Sequence, residues 1–353
     1  MFLSTVSCEP RIIVNNNSLS KDVTRFVSKF ELHKSVSLWF VGIKLEMTLP
    51  LEFYNAILPL ETTVFDITLY FKKNSQTVDT FVNKYIVFSA SVNNVLEKDG
   101  FITCTFILMP INSLQILQGF DFYCCNKICV KKLIDKVLTD VSTCRIDKPS
   151  NTQQFYNVFI PYMTKLKALA YICREFGYSH SFYTGYVEKG FKLINWDIAK
   201  ETRPKIHIKL FPDSVDVKDM FIQSMQYVGQ LDTYNRFQNV DFVKQHNTPI
   251  KCQPFCKKDN QSNMSCYDAK NVLDASMLYT LYESHFIDVT YIPEKHIFKF
   301  DLLDPFCIMS NVSQFMNLVG LYCLTDWKMS ITLDQETPVP QCYMRLTYVP
   351  KEV

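Results

Sequence analysis

Two segments near the end of the chain alternate apolar and polar residues so regularly that strands are the natural outcome. Trp327, Met329, Ile331 and Leu333 alternate with Lys328, Ser330 and Thr332, while Cys342, Met344, Leu346 and Tyr348 alternate with Tyr343, Arg345 and Thr347. Successive side chains of a strand point to opposite faces, so each segment carries one apolar and one polar face. With the turn-rich run Asp334 to Pro340 between them, the pair reads as a long hairpin, Met344 facing the core and Arg345 facing away.

The same period of two runs through the first third. Ile43, Leu45, Met47 and Leu49 share a face, as do Phe65, Ile67, Leu69 and Phe71. Ile86, Phe88, Ala90 and Val92 form a third set, and Ile102, Cys104, Phe106 and Leu108 a fourth. Antiparallel strands with polar outer faces predict a sandwich or barrel from about Arg11 to Pro110. Further on, Ile206, Ile208 and Leu210 predict a short strand, and Ile287, Val289 and Tyr291 another. Phe298 and Phe300 share a face after the turn at Pro293-Glu294-Lys295. Met220 to Val228 is expected to be a helix packed on the sheet. Asp213, Asp216 and Asp219 stand just before it, where carboxylates suit a helix N-terminus; the alternative for the three is a metal site. Residues 244–268 are polar, contain Pro249 and Pro254, and read as a long loop of the kind that is functional or mobile.

Between the two β regions the period changes. Val130, Leu133, Ile134, Val137, Leu138 and Val141 fall at helical spacing and predict a helix from about Lys127 to Val141. After the turn-rich link Asp147 to Thr152, the stretch Phe155–Asp197 has three parts. An extended lead-in ends at Ile160-Pro161, because the residue before proline is pushed out of the α region. A helix follows, capped by Thr164 and carrying Leu166, Leu169, Ala170, Cys173 and Phe176, with Gly177 placed to stop it. Phe182-Tyr183 and Phe191–Ile194 then make a hairpin, with Glu188-Lys189-Gly190 near its turn. Leu114 to Thr202 therefore reads as an α+β insert.

Composition narrows the chemistry. Apolar residues make up 48% and aromatics 14%, which excludes a disordered chain, and 353 residues suggest two or three domains with real cores. With 37 basic and 35 acidic residues there is no broad attraction to nucleic acid or anionic membrane. No apolar run of membrane-spanning length occurs, and Met1 to Val14 is too polar for a signal peptide, so a soluble protein made in a reducing compartment is expected. Eight glycines leave little for phosphate-binding loops, and the nucleophile-elbow, zincin, P-loop and dinucleotide fingerprints are absent. Thirteen cysteines are irregularly spaced; Cys124, Cys125 and Cys129, and Cys252, Cys256 and Cys266, lack the paired C-x2-C spacing of a zinc ribbon. Histidines 33, 180, 207, 246, 285 and 296 lie far apart and read as structural.

The order of these parts resembles the baseplate hub proteins of contractile-tailed bacteriophages of the T-even type. The inserted domain there has a Pro-initiated helix rich in Ala and Leu, a Gly, an aromatic strand and a "gf.f" strand. Ile160-Pro161, Leu166, Ala168-Leu169, Gly177, Phe182-Tyr183, Gly190-Phe191 and Leu193-Ile194-Asn195 stand in that order here. So do the closing elements Phe286 to Ile292, Phe306-Cys307-Ile308, Gly320-Leu321-Tyr322 and Trp327 to Thr347. Two departures are that Ile292-Pro293-Glu294 lacks the usual turn glycine and that Trp327 stands where histidine is common.

The resemblance implies a mainly β, α+β chain: two tail-tube-like antiparallel β-barrel domains, residues 1–112 and 203–353, around an insert at 113–202, with 203–245 a candidate to complete the first barrel. It implies a homotrimeric structural virion protein joining the tail tube to the central spike, assembled in the host cytoplasm and lining a channel for DNA or a tape-measure protein. The tube protein, the spike and neighbouring baseplate proteins would be its partners. No catalytic, cofactor-binding or metal residue and no membrane anchor is expected. The two β regions should share one strand order. The rivals are a nucleic-acid-binding β-barrel protein, from the aromatic-rich strands, and a metal-dependent hydrolase using the Cys or Asp clusters.

Overall fold

The computed structural model describes residues 6–229 and 285–349, apart from 17–18, 37–39, 59, 97–99, 142–143, 147–153, 176–179, 185–190, 196–202, 205, 213, 296, 299 and 334–337. The first β region comprises β1 (Val6–Asn16), β2 (Leu19–Asp22), β3 (Val27–Ser35), β4 (Gly42–Pro50), β5 (Val64–Lys73), β6 (Gln76–Leu96) and β7 (Phe101–Pro110), with α1 (Leu51–Ala56) between β4 and β5. Asn74 and Ser75 both take positive φ in the tight turn that reverses β5 into β6, as the right-handed twist of a hairpin favours. Three of the four alternating sets expected from the sequence face one core: Ile43, Leu45 and Leu49 are buried, as are Phe65, Ile67, Leu69 and Phe71, and Ile102, Cys104, Phe106 and Leu108. The set Ile86, Phe88, Ala90 and Val92 does not share a face, because a bulge between Val87 and Ser89 resets the alternation of β6 and leaves Phe88 and Val92 exposed.

The insert holds α2 (Leu114–Leu117), β8 (Gly119–Phe120), β9 (Tyr123–Cys129), α3 (Val130–Val137), β10 (Cys144–Ile146), β11 (Gln154–Ile160), β12 (Met163–Thr164), α4 (Lys165–Glu175), β13 (His180–Thr184) and β14 (Phe191–Asn195). As expected, the extended lead-in β11 ends at Ile160, Thr164 caps α4 by accepting the Lys167 N–H at 3.3 Å, and β13 and β14 pair as a hairpin. The helix expected from Lys127 begins instead at Val130, because Tyr123–Cys129 pairs antiparallel with β11 and backbone pairing claims those residues for a strand. Ile116, Val130, Leu133, Ile134, Ile160, Ala168, Leu169 and Ile172 belong to a buried cluster separate from that of the β regions. Gly177, Glu188-Lys189-Gly190 and residues 244–268 lie outside the described residues.

The second β region comprises β15 (Ile206–Phe211), β16 (Ser214–Asp216), β17 (Met220–Gly229), β18 (His285–Pro293), β19 (Pro305–Ser310), β20 (Gly320–Thr332) and β21 (Gln341–Tyr348). Met220 to Val228 is thus a strand and not the helix expected. A β-bulge between Ile222 and Ser224 inserts one residue, so Met220, Ile222, Met225 and Tyr227 share a face at a spacing of neither two nor 3.6. Asp216 lies in β16 and Asp219 in the positive-φ turn before β17, so neither sits at a helix start. Phe298 occupies a bend and not a strand, its ring 5.4 Å from that of Phe81.

The two regions share one strand order. The first reads β2-β1-β5-β6-β7-β4-β3 across the sheet, and the second reads β16-β15-β19-β20-β21-β18-β17. Strand for strand in chain order these are the same permutation, with one difference: β1 is antiparallel to β5, whereas β15 is parallel to β19. Bulges repeat as well. Val27/Lys29 on β3 answers Ile222/Ser224 on β17, and Val87/Ser89 on β6 answers Leu324/Asp326 on β20. A bulge bends a strand and increases its twist, so repeated bulges curl both regions alike. Pairing of β3 with β20 joins the two into a 14-stranded sheet, and one buried cluster runs from Val6 to Val349.

Candidate assembly interface

The seam between the regions is built on β20. One edge of that strand pairs with β21; the opposite edge is shared, residues 320–323 pairing with β19 and 326–332 with β3. On the core face Trp327 lies opposite Lys34, Met329 opposite Leu32 and Ile331 opposite Phe30, and only Lys34 among these six carries a charge. Lys34 is 1% exposed. Its ammonium donates to the Phe300 carbonyl and lies 4.8 Å from the Trp327 ring centroid, which together replace lost water around a buried cation. Trp327 Nε1–H donates to the buried Tyr291 hydroxyl at 2.9 Å.

The other face of the seam is polar. Glu31 accepts from Lys29 at 2.9 Å and from Lys328, across the seam, at 3.0 Å. Burial pushes the Glu31 carboxyl up, but the hydrogen bonds and charges of Lys328 and Lys29 outweigh it and hold the pKa below the ordinary carboxylate value. His33 Nε2 lies 2.8 Å from Asp326 Oδ1, joining the same two strands. Nearby, Arg345 makes a two-pronged pair with Asp288, Nε to Oδ1 at 2.9 Å and a terminal nitrogen to Oδ2 at 3.1 Å. The one warning in the sequence of this seam is Lys34, which continues the apolar set Phe30 and Leu32 where an aliphatic residue is expected.

Among the strand edges that lack a partner strand in the described residues, two lie on β6 and β17. On β6 the edge opposite β7 pairs with β5 only as far as Ile86, and Ser89 to Leu96 have no partner strand there among the described residues. On β17 one edge pairs with β18 and the other with nothing described. Both carry exposed apolar side chains, Val92 at 49% and Tyr227 at 39%. An open edge presents unpaired backbone donors and acceptors and is a template for another strand.

The other residues singled out by sequence do not converge. Among the described residues no three His, Cys, Asp or Glu side chains are grouped as metal ligands. Cys124 and Cys125 are neighbours on β9 and so point to opposite faces, and Cys252, Cys256 and Cys266 lie outside the described residues. Cys8, Cys104 and Cys323 are buried, and burial pushes each thiol up to about 12, away from reactive thiolate. His207 lies on β15, His180 on β13 and His285 on β18; His246 and His296 are not described. No described helix is long and apolar enough to cross a membrane.

No protein-family model matches the sequence, and no curated protein does. Solved structures do match. A tail protein from Neisseria meningitidis MC58 aligns with a TM-score of 0.56 over 96% of both chains at 9% identity. The 43 kDa tail protein of prophage MuSo2 from Shewanella oneidensis gives 0.55 over 97% of this chain and 99% of its own, also at 9% identity. A type VI secretion component from E. coli, described as structurally similar to the T4 bacteriophage tail proteins gp27 and gp5, gives 0.54 at 10% identity, over 96% of this chain and 77% of its own. The chain has the fold of these tail proteins over nearly its whole length.

Proposed function

We propose that the chain is a structural subunit of a contractile tail or related injection machine, a homotrimeric hub that joins the tail tube to the central spike. The observation that carries this reading is the duplicated strand order within one chain. Three copies present six similar β units around one axis, which suits a sixfold tube on one side and a threefold spike on the other. The partners are then the tube protein, the spike and neighbouring baseplate proteins, and the location is the virion tail, after assembly in the host cytoplasm.

The polar face of the sheet would line the lumen. Its charges are largely paired, as in Lys44 with Glu46 at 2.8 Å, Glu31 with its two lysines, and Asp288 with Arg345. A wall of paired charges has little net field, so DNA or a tape-measure protein passes without being held. The insert has its own core and sits outside the channel in this arrangement. No enzymatic step is assigned to the chain. The test is the mass of the purified protein together with co-purification of tube and spike proteins. A mass three times 41.3 kDa is expected for the chain purified alone, and co-purification of both partners from assembled tails. A chain absent from purified tail particles overturns the reading.

A further inference from the structure

We propose that the open edge of β6 in one copy pairs with the open edge of β17 in a second copy, antiparallel, in the register of the internal β3–β20 seam. The inference deepens the hub reading and rests on it only for the number of copies in the ring.

The register follows from positions that correspond in the two regions. Ser89 opposite Ile107 and Asp326 opposite Arg345 are the first pairs after matching bulges, so Ala90, Ser91 and Val92 answer Trp327, Lys328 and Met329. On the other strand, Leu32 pairs with Ile43, which pairs with Leu108, while Tyr227 pairs with Ile287, which pairs with Leu346. Tyr227, Val228 and Gly229 therefore answer Leu32, His33 and Lys34. The internal seam sets Met329 opposite Leu32, Lys328 opposite His33 and Trp327 opposite Lys34. Transposed, it sets Val92 opposite Tyr227, Ser91 opposite Val228 and Ala90 opposite Gly229.

The chemistry of these pairs agrees. Met329 and Leu32 are 0% exposed, whereas the corresponding Val92 and Tyr227 are half-open and would cover each other. The bulky Trp327–Lys34 pair is replaced by Ala90 and Gly229, small enough for close backbone approach. Glu31 and Asp326 are answered by Gln226 and Ser89, and Lys29 and Lys328 by Ser224 and Ser91, so no charge is left facing another across the new seam. A second bulge on β6, between Val92 and Asn94, limits the shared register to a few residues. Each copy offers one edge of each kind, and the only counterpart of β17 in its own chain, β3, already occupies β20. A second copy is the partner, and such a head-to-tail contact builds a ring when the rotation between copies closes.

The experiment mixes full-length Val92→Cys and Tyr227→Cys chains, allows assembly, oxidises, and identifies linked peptides by mass spectrometry, since 13 native cysteines rule out reading a gel band alone. A 92–227 link between chains is expected, with loss of the link when Gln226→Cys replaces Tyr227→Cys, because adjacent strand residues face opposite ways. In parallel, Val92→Asp should abolish the assembled mass without changing the melting of the monomer. High salt should leave the assembly intact, since the seam lacks ion pairs. An oligomer that forms with no 92–227 link, or links from residue 92 mapping within one chain or to residues 230–284, overturns the seam and leaves the hub reading standing. A chain that stays monomeric overturns both.

Discussion

His33 and Asp326 are 293 residues apart in the chain, yet Nε2 of one lies 2.8 Å from Oδ1 of the other. The contact marks where the first β region is stitched to the second. The pair is partly solvent-exposed, so it contributes little by itself, about 0–1 kcal/mol. Its neighbour Glu31 is the better-covered member of the seam and the one whose titration the surroundings displace.

Acid should weaken the seam through Glu31. Its folded pKa is depressed by Lys328 and Lys29 against the opposing push of burial, so the unfolded chain binds this proton more readily than the folded one. The contribution is therefore present above the unfolded value of 4.5 and is lost as pH falls through the lower folded pKa. Urea melts between about pH 3 and 6 should show stability falling with acid, and Glu31→Gln should flatten part of that slope. An unchanged slope would mean that the two lysines do not hold the carboxylate in solution.

Trp327→Phe should destabilise by about 1–3 kcal/mol, because it removes the indole N–H that donates to the buried Tyr291 hydroxyl at 2.9 Å. Trp327→Phe with Tyr291→Phe should recover part of the loss in a denaturant titration. No recovery would assign the cost to packing around Lys34.

Met344→Asp should cost several kcal/mol, since Met344 is fully buried and an unpaired carboxylate there has no partner. Arg345→Glu, on the opposite face, should cost less, but more than an ordinary surface change. It replaces a two-pronged pair with two carboxylates facing each other, and about 1–3 kcal/mol is expected. Equal losses in thermal melts would place the register of β21 one residue off.

What the sequence made legible was whatever one strand or helix announces by itself. Cys342, Met344 and Leu346 alternate cleanly because β21 buries one face along its whole length. Thr164 was visible as a cap because capping is local. The bulge at Ile222/Ser224 hid β17 by resetting its alternation, and a strand at Tyr123–Cys129 was masked by helical spacing that begins at Val130. Pairing of β3 with β20 left almost no local trace, since a strand's partner across hundreds of residues is fixed by edges and register. The expectation of one strand order in both regions came from the family resemblance. The observed sheet order agrees with it, and the matching bulges add a detail that alternation alone does not encode.

The insert should yield to mutation separately from the sheet. Leu169 is fully buried on α4, in a cluster with Val130, Leu133, Ile134 and Ile172 that is distinct from the cluster of the β regions. Leu169→Ala removes buried methyl groups and leaves a cavity, for a cost of about 2–5 kcal/mol within that cluster. A core not shared with the sheet can open without it, because cooperative units follow contiguous packing. Hydrogen exchange should therefore show faster exchange in α3, α4 and the β9–β11 pair, while β4, β7, β20 and β21 keep their protection. Uniform loss of protection across both would mean that the insert and the sheet unfold as one unit, and that the insert braces the sheet instead of riding on it.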